Sequence, residues 1–135
     1  MHPELVMADP LGREMKVLMV CEPDVISTPA RLCEPERIVE FWRSKVAKAS
    51  WYDPEKEAMV VFCLDRKNVL KGWNLVSLGT NGSTLVHPRE VFRPLVVSAA
   101  SAFAVAHNHP SGDPSPSEAD IRVTKALYDA SAVME

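Results

Sequence analysis

Apolar residues recur along this chain in different rhythms, and each rhythm predicts a different element. Residues 58–64 (AMVVFCL) are continuously apolar and rich in β-formers, which fits a strand buried on both faces. Shorter runs at 16–21 (KVLMVC) and 101–106 (SAFAVA) also read as strands, the second of them buried. Between these, Pro35 opens a helix to about Ala49, because proline is favoured at the first helical position. Ile38, Val39, Phe41, Trp42 and Val46 give that helix a buried stripe. Asp65-Arg66-Lys67-Asn68 predicts a hairpin turn into a second strand at about 69–78, and 79–83 (GTNGS) is a turn cluster. Residues 87–100 read as a helix that should kink or restart at Pro94, and 117–133 as a final helix. Strands interleaved with helices favour an α/β layered domain.

Composition narrows the class. A chain of 135 residues, 47% of them apolar, makes one ordinary globular domain; it buries roughly two thirds of its unfolded surface without help from disulfides. Residues 1–14 lack apolar periodicity and are expected to form a flexible arm before a domain at 15–135. Lys plus Arg is 15 and Asp plus Glu is 18, a net charge of −3. That balance lacks the footprint of a duplex-binding protein, so direct nucleic-acid binding is not expected. The longest near-apolar stretch, 95–106, is too short to span a bilayer, and the N-terminus lacks the basic-then-apolar order of a signal peptide. Cys21, Cys33 and Cys63 show no C-x-x-C spacing and read as reduced thiols of a cytoplasmic protein, Cys63 as an inert strand residue.

The chemistry concentrates in residues 107–120, HNHPSGDPSPSEAD. His107 and His109 follow directly on a predicted strand, where two imidazoles at i and i+2 can converge on one ion. Neutral imidazole suits Zn²⁺, and Asp120, returned by the proline-rich loop, completes three protein ligands. Three ligands leave a fourth position for water, the pattern of catalytic rather than structural zinc. A plainer reading also fits: a lone H-x-H pair is often two polar loop residues, and Ser117-Glu-Ala-Asp120 is an S-x-x-D helix start. Asp120 would then only complement the helix dipole. The two readings are compatible, since a first-turn Asp can point its carboxylate back at a metal.

The same residues resemble the JAMM signature of the JAB/MPN metallo-domains, H-x-H-x7-S-x-x-D, and their wording is similar to the RadC branch. Residues 86–92 (VHPREVF) and 60–68 (VVFCLDRKN) extend the resemblance, which covers roughly 16–135. It implies a JAB/MPN, deaminase-like α/β fold, a mixed β-sheet flanked by helices. It also implies Zn²⁺ held by His107, His109 and Asp120, with a glutamate as general acid/base on the bound water. By position that glutamate is Glu57, abutting the apolar strand, with Glu55 and Glu90 as alternatives. Ser117 matches the family serine that stabilises the oxyanion. The implied reaction is hydrolysis of a peptide or isopeptide bond in a protein or peptide substrate, by association with RadC DNA repair proteins.

Two departures accompany the resemblance. RadC proteins usually carry an N-terminal helix-hairpin-helix region, absent from this sequence, and continue past the last helix with a further strand. The sequence stops at Glu135, either as a short member or cut within the domain. A sheet lacking that strand would expose an edge and favour a homo-oligomer. The competing function is a non-catalytic partner-binding module in DNA repair or mobile-element biology.

Overall fold

The structure, a computed structural model, describes residues 16–21, 30–80 and 86–134. Three strands and three α-helices follow one another along it: α1 (Pro35–Ser44), a 3-10 turn (Val46–Lys48), β1 (Lys56–Leu64), β2 (Leu70–Thr80), α2 (Pro88–Val97), β3 (Ala102–His107) and α3 (Glu118–Val133). The strands form an antiparallel sheet in the order β2-β1-β3, so the most apolar strand is the central one. This is the α/β class expected, and the described strands form an antiparallel part of such a sheet.

β1 explains the layering. From Glu57 onward every residue of the strand is buried, because both faces are covered. Val60, Phe62 and Leu64 pack on one face with Leu32 and Val46 and with Ile38, Phe41 and Trp42 of the α1 segment. Val61 and Cys63 point the other way, into Val91 and Leu95 of α2 and Leu127 of α3. Alternation along one strand thus feeds two cores. Phe62 is fully buried and stands edge-on to Phe41 at 5.8 Å between ring centres; removing such a ring from a core typically costs about 3–5 kcal/mol.

The Asp65 turn joins β1 to β2. The Asp65 carboxylate accepts from the Lys67 and Val69 backbone N–H groups at 2.7 and 2.9 Å, and Asn68 takes the left-handed conformation at φ 59°. These two bonds hold the Asp65 carboxyl below the usual range.

Several expectations are corrected. Residues 16–21 are not a strand: they carry no regular structure, and Val17, Leu18, Met19 and Val20 are all exposed. β-propensity without a neighbouring ladder is too weak to order a strand. The short segment that does approach the sheet lies later, where Arg31 bridges Val69. The first helix ends at Ser44 and tightens into the 3-10 turn, and Val39 is 46% exposed because it falls off the core-facing side. Gly79 and Thr80 belong to β2 rather than to a turn; 81–83 lie outside the described residues, as do 1–14 and the loop prolines Pro23 and Pro29. α2 continues through Pro94 instead of restarting. β3 is half-buried, not buried, since it pairs with β1 on one side and with no described strand on the other.

Candidate metal centre

The site forms where β3 ends beside the start of β1. The antiparallel register sets Met59 opposite His107, so the strand end carrying the first histidine lies against the strand start carrying Glu57. Glu57 is 8% exposed, and its Oε1 stands 3.1 Å from His107 Nδ1. Beyond His107 the backbone leaves the sheet. Gly112, at φ +80°, supplies a conformation that other residues rarely adopt, and its N–H closes a turn onto the His109 carbonyl. The turn brings the Asp113 carbonyl to 2.6 Å from His109 Nδ1.

Asp120 arrives from the opposite direction, on the first turn of α3. Ser117 caps that helix: its hydroxyl accepts from the Asp120 N–H at 3.1 Å, and Asp120 Oδ2 accepts from the Ser117 N–H at 2.8 Å. This reciprocal capping box orients the carboxylate. Asp120 Oδ2 lies 3.3 Å from His109 Nε2, and Oδ1 lies 3.8 Å from His107 Nε2. The plainer reading of Asp120 and the ligand reading therefore describe the same carboxylate.

The two imidazole rings are 4.7 Å apart. One ligand atom each from Glu57, His107, His109 and Asp120 falls within a cluster 4.8 Å across. The donor chemistry suits a divalent metal. Each histidine has its Nδ1 engaged by an oxygen acceptor, Glu57 for one and the Asp113 carbonyl for the other, and each turns Nε2 towards Asp120. A second acceptor that fixes the tautomer and ring orientation is the usual company of a metal-binding histidine. A cleft of about 430 Å³ opens over the cluster, its walls including Glu57, His109, Asp113, Ser115, Ser117 and Asp120.

Electrostatics follow from the contacts. The Asp113 carbonyl, and then the Asp120 and Glu57 charges, raise His109 above its ordinary 6.5 against the opposing effect of burial. Burial raises Asp120, but the Ser117 N–H and hydroxyl, aided by both histidines, outweigh it and hold the carboxyl below 3.8. In metal-free protein the raised His109 contributes stability that is fully present below its unfolded value and lost as pH rises through its folded one. Metal-free protein should therefore lose stability relative to His109→Gln as pH climbs past 6.5; thermal melts of both across that range check this.

The alternatives to Glu57 stand elsewhere. Glu55 precedes β1 in a turn, its N–H bonded to Asp53. Glu90 sits in the first turn of α2 with Arg89 and Arg93 at 3.6 and 3.5 Å. Cys63 is buried in β1, and burial pushes its thiol up, away from reactivity.

Sequence reasoning missed Asn108. Its Oδ1 accepts from the Ala58 N–H at 2.8 Å and its Nδ2 donates to the Lys56 carbonyl at 2.9 Å, one bond on each side of Glu57. Leaving a buried N–H such as that of Ala58 unpaired costs about 1–3 kcal/mol. Between two histidines an asparagine reads as a spacer. Only the register of β1 against β3 reveals what its carboxamide meets.

Among the described residues, no helix is long and apolar enough to cross a membrane. Comparison with known proteins gives the family. The chain is 34% identical over 104 residues to a UPF0758 protein of Methanosarcina barkeri, an alignment covering 77% of this chain and 43% of that protein. It is 35% identical over 117 residues to one of Geobacter sulfurreducens, covering 87% and 46%. With a UPF0758 protein of Thermotoga maritima identity is 44% over 80 residues, 59% of this chain and 36% of that one. The chain thus spans less than half the length of these curated relatives, whose names state no activity. The model of the RadC-like JAB domain matches residues 32–135, which hold β1 to α3 and the whole cluster, and the chain belongs to that family.

Proposed function

We propose that this domain is a zinc-dependent hydrolase of the JAMM type that cleaves a peptide or isopeptide bond in a protein or peptide substrate. The observation that carries the reading is the joint orientation of the two histidines. Both Nδ1 atoms are held by oxygen acceptors, and both Nε2 atoms converge with the Asp120 carboxylate beneath an open cleft. His107, His109 and Asp120 would hold the ion. Zinc supplies a Lewis acid that polarises a carbonyl and lowers the pKa of a water.

The rest is the work of this chain's own groups. Glu57 is a buried carboxylate at the floor of the cleft, placed to accept a proton from the attacking water and pass it to the leaving amine. Its Oε1 faces His107, which leaves the second oxygen for that exchange. Ser117 lines the same cleft; its oxygen accepts from the Asp120 N–H through a lone pair, which leaves the O–H proton to donate to an oxyanion. Asp113, Ser111 and Ser115 make the wall polar, which suits an extended peptide better than an apolar ligand.

Protein purified without added metal should contain about one zinc per chain and cleave members of a fluorogenic peptide and isopeptide library in a chelator-sensitive manner. Zinc-free protein that also fails to take up added zinc would overturn the reading. Zinc uptake without hydrolysis across the library would favour the partner-binding alternative.

A further inference from the structure

The regular pairing of β1 with β3 ends at Met59 and His107, yet Glu57 lies two residues beyond that point. What reaches the next pair of β1 backbone groups is a side chain. The Asn108 carboxamide presents one acceptor and one donor, as a peptide unit does, to the Ala58 N–H and the Lys56 carbonyl. A carboxamide offers both roles side by side on one planar group, in the arrangement of a peptide unit. The ladder therefore continues for one more step although the backbone has already departed towards His109. The two peptide groups it clamps are those that flank Glu57.

We propose that Asn108 is a positioning residue for Glu57: its carboxamide fixes where the Glu57 carboxylate stands against His107 Nδ1, and so which nitrogen of His107 faces the cluster. The chain of contacts is continuous, from Asn108 through the Lys56–Ala58 backbone to Glu57 and then to His107 at 3.1 Å. On the β2 side Glu57 is paired opposite Gly79, so Asn108 supplies the matching constraint from the β3 side. The consequence for metal binding rests on the zinc reading above; the positioning itself does not.

Two measurements test it. The first uses metal-free, ¹⁵N-labelled protein at a pH where the imidazoles are neutral, with long-range ¹H–¹⁵N correlation to locate the ring protons. His107 in the parent should carry its proton on Nδ1. In Asn108→Ala and Asn108→Asp it should shift towards the Nε2-protonated form, while His87, which caps α2, keeps its parental signature. Asn108→Asp keeps the acceptor for Ala58 and sets a charged oxygen, which cannot donate, against the Lys56 carbonyl, so it carries the test should Asn108→Ala fail to fold. Val46→Ala, a fully buried change in the opposite core, controls for general destabilisation and should leave His107 unchanged.

The second measurement is a zinc competition titration against a chromophoric chelator. Asn108→Ala should weaken zinc within the about 10–100-fold range typical of lost outer partners. In a Glu57→Ala background the same substitution should cost nothing further, since it acts through Glu57. A parental His107 signature in both Asn108 variants, or additive losses in the double mutant, would overturn the proposal. Parent protein that binds no zinc would sink the metal centre instead, and the ring-proton measurement alone would then decide the role of Asn108.

Discussion

His107→Ala and His109→Ala should each abolish stoichiometric zinc, and with it any hydrolysis that the parent shows. Each removes one of the two Nε2 atoms that converge with Asp120, so the loss should exceed the about 10–100-fold expected for an outer partner. Folding should survive, because both rings are partly solvent-accessible and neither belongs to the two cores. Asp120 needs a gentler change. Asp120→Ala would remove the ligand and half of the α3 capping box together, and a lost helix cap alone costs about 0.5–2 kcal/mol. Asp120→Asn keeps an acceptor for the Ser117 N–H and removes the charge. Zinc should therefore fall steeply while the melting temperature stays near the parent's. Metal analysis after gel filtration, paired with melts of the metal-free variants, separates the two effects.

Glu57→Gln should separate chemistry from metal binding. Glutamine retains an oxygen that can accept from His107 Nδ1–H, so the ring stays oriented and zinc stays bound. It cannot take a proton at neutral pH. Groups in this role typically contribute about 10²–10⁴-fold, so the rate on a cleavable peptide should fall by that order with zinc content unchanged. Glu55→Gln and Glu90→Gln should leave the rate alone, since one lies in a turn before β1 and the other is engaged by two arginines on α2. Hydrolysis at the parental rate by Glu57→Gln would refute the acid/base assignment.

What could be read from the residues, and what could not, divides along a physical line. β1 was legible because an uninterrupted apolar run before a D-R-K-N turn has few other solutions. α3 was legible from its cap, since Ser117 and Asp120 satisfy each other's backbone locally. Both signals are short-range. The segment 16–21 has equal β-propensity but no ladder to join, and propensity alone does not say whether a partner exists. Val39 illustrates the same limit within a helix, where an apolar residue one step off the stripe faces solvent. The site was legible as a spacing of ligand types, whereas the contact between Glu57 and His107 joins positions 50 apart in the chain and depends on a register. Asn108 was illegible for that reason, its two partners lying on another strand.

The cluster is assembled from unequal halves. Glu57 and His107 belong to the paired sheet, β1 being flanked on both sides, whereas His109 and Asp120 hang from an exposed loop and a helix start. Amide exchange makes the consequence measurable. Amides of the buried central strand should open only with the whole molecule, while those of the exposed loop at 108–117 should open by local fluctuation at far lower free energy. A bound ion would tie the second half to the first, so the protection it confers should fall almost entirely on the loop and the first turn of α3. The sheet would then act as a fixed anvil against which the loop is set, and the loop and helix start would register whether the ion is there.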